Sequence, residues 1–126
     1  VAQPQVSRED GLDVFDQRVS SLSHGQKRQL ELAMALAGSP RLLMLDEPAA
    51  GLSPGERTAL SRLLADLPRT ITLVLIEHDM DVALQAAEQV TVMQNGAIIA
   101  EGSPAEIQAN VIVQDVYLGH GGGRTE

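Results

Sequence analysis

Two pairs of polar side chains follow apolar runs, and their residue types suit them to chemistry. Asp46 and Glu47 end one run, and Glu77 and His78 end a second. A carboxylate at the end of a buried strand suits Mg²⁺, which takes one or two protein carboxylates together with waters and substrate phosphates. The adjacent Glu47 is placed to orient and polarise an attacking water. The alternative is an ordinary polar exit from a strand, because short motifs have many false positives.

Two further features point to phosphate. Ser23 and Gly25 stand at the start of the first predicted helix, where free N–H groups, the helix dipole and a hydroxyl make an anion site. The alternative is a plain N-cap, in which Ser23 only satisfies backbone donors. His78 is a donor that can reach a phosphate and Glu47 at once, although a histidine at a strand end is more often a partly buried polar residue.

The apolar spacing predicts the elements that would position these residues. Residues 42–45 read as a strand covered on both faces, and Ser53 with Glu56 reads as the capping box of a helix. Buried helical stripes are predicted at Leu30, Ala33, Met34 and Ala37, at Leu60, Leu63, Leu64 and Leu67, and at Met80, Ala83, Leu84 and Ala87; further strands at 71–76 and 90–93; a hairpin turn at Asn95-Gly96 leading to 97–100; and short helices from Ser103 and around 111–118.

Strands alternating with helices predict a parallel α/β sheet, here with a hairpin added at its end. Such sheets carry their chemistry at the carboxyl ends of the strands. The two polar pairs fall at that edge. The sequence therefore predicts that Asp46, Glu47 and His78 come together.

Composition excludes several classes of function. The formal net charge is -8, which argues against a broad surface for duplex DNA or anionic membrane. Only Phe15 and Tyr117 are aromatic, so stacking platforms for single-stranded nucleic acid are not expected. The chain has no cysteine and thus no disulfide or thiolate metal site. No apolar run approaches the roughly 18 residues of a membrane span. We expect a cytoplasmic protein without nucleic-acid partners or direct membrane insertion.

Taken together, the stretches LSHGQ, LLMLDEP, EPAAGLSP and IEHDMDV resemble the second half of the nucleotide-binding subunit of ABC transporters. The resemblance covers residues 19–119, and the closing AEGSPAEI and VYLG are most similar to subunits that energise branched-chain amino acid uptake in bacteria. It implies a partial P-loop NTPase (ABC ATPase) fold, a mostly parallel sheet with flanking helices and a C-terminal β-hairpin. We expect an irregular segment at 1–20, the ATPase part at 21–119 and a disordered tail at 120–126.

The resemblance also implies residue roles, with ATP as substrate and Mg²⁺ as cofactor. The implied catalytic residues are Glu47 and His78; the metal ligand, acting through water, is Asp46; the signature motif, which would bind ATP held by a partner subunit, is Ser23, His24, Gly25 and Gln26; and the D-loop includes Gly51, Leu52 and Ser53. His24 stands where many members have a second glycine, and Ser53 where Asp or Asn is frequent. The implied partners are a second ATPase subunit and transmembrane permease subunits, which would hold the protein at the inner membrane.

One expected motif is missing from this sequence. A phosphate loop reads G-x-x-x-x-G-K-[ST], but the only lysine, Lys27, follows Gln26. We therefore expect the chain to be the C-terminal part of a longer ATPase, with negligible ATP binding and no hydrolysis on its own. Apolar surface left without its amino-terminal partners would favour self-association.

Two other readings stay open. The chain could be a non-enzymatic dimerisation or regulatory module built on the ABC half-fold. It could also belong to an ATPase head of the DNA-repair or chromosome-structure kind, which would carry coiled-coil arms and a basic surface. Neither arms nor basic surface is visible in the sequence.

Overall fold

The computed structural model describes residues 18–118. The segment predicted at 1–20 lies mostly, and the tail predicted at 120–126 entirely, outside the described residues. Within the described range, no helix is both long and apolar enough to cross a bilayer. The elements in chain order are a 3₁₀ turn Val19–Ser21, α1 His24–Ala37, β1 Leu42–Asp46, α2 Pro54–Ala65, β2 Thr72–Ile76, α3 Met80–Ala86, β3 Val90–Gln94, β4 Ala97–Gly102, α4 Pro104–Ala109, α5 Val111–Val113 and a π-helical turn Gln114–Leu118.

Three of the helices begin with the same local device. Ser23, Ser53 and Ser103 each accept a hydrogen bond from the N–H of the residue three positions later, whose side chain accepts the serine N–H in return. This capping box satisfies backbone donors that a helix start would otherwise leave unpaired. In α2 and α4 a proline also occupies the first turn. The helix starts predicted at Ser53 and Ser103 are confirmed.

The strands form two separate pairs. β1 and β2 run parallel, in register from Leu42 with Thr72 to Asp46 with Ile76. β3 and β4 run antiparallel through the predicted turn at Asn95 and Gly96, both of which have positive φ. The predicted class, a parallel α/β arrangement with a terminal hairpin, is confirmed. Among the described residues β3 pairs only with β4 and does not extend the parallel sheet.

Two apolar clusters make the core. A larger one packs the three main helices on one face of the parallel pair, and a smaller one lies beneath the hairpin. The buried members of the first are Leu32, Leu43, Ala49, Leu52, Leu60, Leu64 and Val82; those of the second are Val92, Ile107 and Val113. The α2 stripe predicted from the spacing is confirmed, because Leu60 and Leu64 are buried and Leu63 and Leu67 pack against them.

The predicted buried face of α1 is wrong. Leu30, Ala33, Met34 and Ala37 are all exposed, and Leu32 is buried instead. Both faces of this helix carry apolar side chains, and α2 covers the one with Leu32. In α3 the fully buried residue is Val82, which the predicted stripe omitted.

The prediction that both faces of 42–45 are covered is also wrong within the described residues. Leu43 is buried, while Leu42 and Met44 are 53% and 67% exposed. Val74 and Ile76 on β2 are exposed on the same face. Side chains alternate along a strand, so the helices cover one face of the pair and leave the other apolar and open.

Candidate functional site

The candidate site lies where β1 and β2 end. Asp46 is the last residue of β1 and pairs with Ile76, the last residue of β2. Because the strands are parallel, the residues after each strand emerge at the same edge. Of the three residues predicted to come together, Glu47 and His78 meet at this edge, and Asp46 ends the strand that leads to it.

Glu47 has an unusual backbone. Its φ is +46°, a left-handed conformation that is uncommon for a residue with a side chain. Its N–H donates to the Ile76 carbonyl at 2.7 Å, and its own carbonyl accepts the Ala50 N–H at 3.1 Å. Such backbone strain persists only where surrounding contacts hold it, and it is concentrated at functional sites. The turn at Glu47 directs the chain away from the strand and into the loop 48–53.

Glu47 and His78 are in direct contact. His78 Nδ1 donates to Glu47 Oε1 at 3.0 Å. The His78 side chain is 68% exposed and the Glu47 side chain 48%, so the pair faces solvent and can meet a ligand. With Nδ1 engaged, the Nε2 atom of His78 is the ring nitrogen left to contact a substrate. A carboxylate oriented by an imidazole is an arrangement suited to activating water.

Asp46 is the predicted Mg²⁺ ligand, and that role stays a prediction. Its carboxylate lies exposed at the end of β1, next to Glu47. Mg²⁺ needs only one or two protein carboxylates, since waters and substrate phosphates complete its octahedral shell. Among the described residues, no group of three His, Cys, Asp or Glu side chains is arranged to hold a metal.

The predicted signature residues form the first turn of α1. Ser23 Oγ accepts the Gln26 N–H at 3.1 Å, and Gln26 Oε1 accepts the Ser23 N–H at 2.9 Å. The N-cap reading of Ser23 is therefore correct, and its O–H can still donate a hydrogen bond. The side-chain oxygen of Gln26 is engaged in the cap. Gly25 is buried, and a Cβ there would collide with the carboxylate of Glu56 on α2.

His24 links this turn to the predicted D-loop. Its Nε2 donates to the Ala50 carbonyl at 3.1 Å. Gly51 has φ +75°, and a Cβ at this position would lie 3.1 Å from the His24 ring, so glycine suits both the backbone and the close approach. The histidine that replaces the more frequent glycine thus contacts its own chain.

The other D-loop residues have structural partners of their own. Leu52 is 5% exposed and belongs to the core cluster. Ser53 caps α2. Arg57 of α2 donates to the Leu52 carbonyl at 3.2 Å and to Asp79 at 3.1 Å. The loop 48–53 is therefore tied to α1, to α2 and to the segment after β2.

The sequence did not predict the structural role of Glu77. Its side chain is 1% exposed, and its carboxylate accepts three backbone N–H groups, from Ala49, His78 and Asp79. A glutamate closing an apolar strand is a weak signal, because its burial depends on a loop that lies 28 positions away. Only the folded arrangement reveals it.

Comparison with known proteins finds two family models. One described as "ABC transporter" matches residues 2–50, and one described as "Branched-chain amino acid ATP-binding cassette transporter" matches residues 97–122. Between them, these matches include the predicted signature and the first acidic pair.

Individual proteins match over most of this chain. The high-affinity branched-chain amino acid transport ATP-binding protein BraF of Pseudomonas aeruginosa is 44% identical over 79% of this chain and 40% of its own length. LivG of Escherichia coli K12, with the same description, is 39% identical over 86% and 43%, respectively. A solved structure of MJ1267, an ATP-binding cassette of an ABC transporter, matches with a TM-score of 0.70 and 32% identity over 82% and 43%. The chain spans about two fifths of the length of these curated relatives.

Proposed function

Because this chain belongs to the family of ABC transporter ATP-binding subunits, we propose that it is the C-terminal part of the ATP-hydrolysing subunit of a bacterial importer. The solute would be a branched-chain amino acid or a related small molecule, as the relatives' names suggest. The observation that carries the proposal is the 3.0 Å contact between Glu47 and His78 at the edge where two parallel strands end. The strained backbone of Glu47 at that edge supports it.

In this proposal the site residues divide the work of phosphoryl transfer. Asp46 would hold Mg²⁺ through water, and the bound ion would supply charge neutralisation at the phosphates. Glu47 orients and polarises the attacking water, and His78 fixes the Glu47 carboxylate through Nδ1 while Nε2 faces the phosphate. Phosphoryl transfer depends mostly on positioning and charge neutralisation, which a rigid strand edge provides.

The other half of the site would come from a second subunit. Ser23 and Gly25, in the first turn of α1, would face the ATP bound by that partner, where the helix dipole and the Ser23 hydroxyl favour phosphate. The loop 48–53 would lie at the same interface. Permease subunits would hold the pair at the inner membrane, and closing of the pair would drive transport.

The first test uses Mg-ATP and the chain itself. Since the sequence contains no G-x-x-x-x-G-K-[ST] stretch, the main grip on the phosphates would lie elsewhere in the subunit. Calorimetric titration of the 126-residue chain should show no heat up to millimolar nucleotide. Saturable binding would contradict the proposal that this chain holds only part of the site.

The second test uses the complete subunit assembled with its permease. Glu47→Gln should abolish ATP hydrolysis while ATP binding is kept, because the amide cannot polarise water but has the same shape. His78→Ala should reduce turnover strongly for loss of the Glu47 contact. Glu88→Gln is the control, since Glu88 is 84% exposed and pairs only with Arg69 among the described residues. Full ATPase activity of the Glu47 variant would refute the role of Glu47 in hydrolysis. Export of the solute would refute the assignment to an importer.

A further inference from the structure

Glu77 carries a buried carboxylate that has no role in the proposed mechanism of ATP hydrolysis. It follows β2 directly, and its side chain is only 1% exposed. Burying a charge is costly unless hydrogen bonds compensate it. A glutamate that served only to end the strand would point into water.

Hydrogen bonds compensate the burial of the Glu77 carboxylate. Among the described residues, all of their donors are backbone N–H groups. The N–H of Ala49 donates to Oε2 at 3.1 Å, while those of His78 and Asp79 donate to Oε1 at 3.0 and 3.2 Å. His78 Nδ1 lies 3.8 Å from Glu77 Oε1 and bonds to Glu47 instead. One carboxylate thus joins two loops that are 28 positions apart in sequence.

The two loops are those that carry the reacting pair. Ala49 lies two residues after Glu47, and His78 directly follows Glu77. The contact between Glu47 and His78 is itself largely exposed, and exposed ion pairs contribute little to holding a geometry. The part-buried bond from the Ala49 N–H to Glu77 spans the same two loops and is better able to fix the separation of their backbones.

We infer that Glu77 is a positioning residue, which sets the separation of Glu47 and His78 by binding the loop after β1 to the loop after β2. The link to ATP hydrolysis rests on the proposed function, but the link between the loops does not. Glu77 does not touch the reacting atoms in this role.

The carboxylate form is what the site requires. A glutamine of the same shape has one accepting oxygen and an amide nitrogen that cannot accept an N–H. If its oxygen serves His78 and Asp79, its nitrogen meets the Ala49 N–H and that bond is lost. Glu77→Gln therefore cuts the link between the loops with little change of volume. Glu77→Asp keeps both oxygens but reaches less far.

The first experiment measures amide hydrogen exchange and the imidazole ¹⁵N shifts of His78 by NMR in the 126-residue chain. In Glu77→Gln the Ala49 amide should exchange about ten- to a hundredfold faster, the range expected for losing one hydrogen bond to a charged group. The His78 shifts should move toward those of a free imidazole. Interior amides of α2 should keep their rates, and Glu88→Gln should change nothing. Glu77→Asp should give an intermediate rate at Ala49.

Two results would overturn the inference. One is an Ala49 rate within twofold of wild type together with unchanged His78 shifts. The other is equal acceleration at Ala49 and throughout α2, which would make Glu77 a residue for general stability. If Glu77→Gln does not fold, Glu77→Asp decides by the same criteria, since its effect must also be selective.

The second experiment measures ATP hydrolysis by the complete subunit. Glu77→Gln should lower kcat at least tenfold and leave the KM for ATP within twofold, because positioning acts on the reacting pair and not on ATP binding. Unchanged kcat would overturn the inference. A wild-type subunit without ATPase activity would instead refute the proposed function, and the exchange result at Ala49 would stand by itself.

Discussion

Replacing Gly25 by alanine tests the contact between the first turns of α1 and α2. An added Cβ would lie 2.5 Å from Oε1 and 2.8 Å from Oε2 of Glu56, closer than unbonded atoms approach. The same carboxylate accepts the Ser53 N–H at 2.9 Å and closes the capping box of α2. Alanine at position 25 should therefore displace Glu56 and open that box.

Gly25→Ala should change the free energy of unfolding through two contributions of opposite sign. Alanine stabilises a helix relative to glycine by up to about 1 kcal/mol. Loss of the bond from the Ser53 N–H to the Glu56 carboxylate costs about 1 kcal/mol. Gly25→Ala should thus be neutral or slightly destabilising in the natural chain. In a Glu56→Ala chain the box is already lost and the Cβ has room, so the same change should stabilise. The coupling free energy between the two substitutions is therefore about 1 kcal/mol, the value of that one hydrogen bond.

Denaturant unfolding of the natural chain, both single variants and the double variant measures this coupling. Gly55→Ala is the matched control, because Gly55 is likewise the second residue of its helix and a Cβ there meets nothing within 4 Å. Gly55→Ala should raise the free energy of unfolding whether or not Glu56 is present. Additive effects of Gly25→Ala and Glu56→Ala, within about 0.3 kcal/mol, would refute the reasoning. So would an effect of Gly25→Ala equal to that of the control.

Three further changes have outcomes that denaturant unfolding can measure. Val82→Ala should destabilise by about 2 kcal/mol, since Val82 is 1% exposed, whereas Val111→Ala, at 67% exposed, should stay within about 0.5 kcal/mol; equal effects would contradict the assigned core. His24→Phe should cost about 1 kcal/mol through loss of the donor to the Ala50 carbonyl, and His24→Gln, whose amide reaches as far, should recover part of it; no difference between the two would exclude the hydrogen bond. Arg69→Ala should change stability by less than about 0.5 kcal/mol, because its ion pair is 92% exposed on the arginine side; a larger loss would mean that the pair is shielded.

Local signals in the sequence were enough to predict the helix starts and the hairpin. These features depend only on residues within four positions of each other. The capping boxes at Ser53 and Ser103 formed as predicted, and so did the turn at Asn95 and Gly96. The meeting of Glu47 with His78 also followed from simple geometry, because parallel strands end at one edge.

What the sequence could not decide depends on distant partners. Leu30 and Leu32 are equally apolar, and only the packing of α1 in the folded core cluster selects Leu32 for burial. The open face of β1 follows from where the helices pack, which strand periodicity cannot show. Glu77 needs Ala49 as a partner 28 positions away before its carboxylate has any role.

The capping boxes bear on the order in which the chain folds. Each needs contact only across three positions, so a helix start such as Ser53 can form before any distant contact. Pairing of Leu42 with Thr72, by contrast, must bring together strands separated by the whole of α2 and its flanking loops. Closing that loop costs chain entropy, and contacts between distant residues slow folding. A helix already nucleated at Ser53 makes the intervening chain shorter and stiffer. We therefore expect α2 to set the rate at which the two strands, and with them the two halves of the site, first meet.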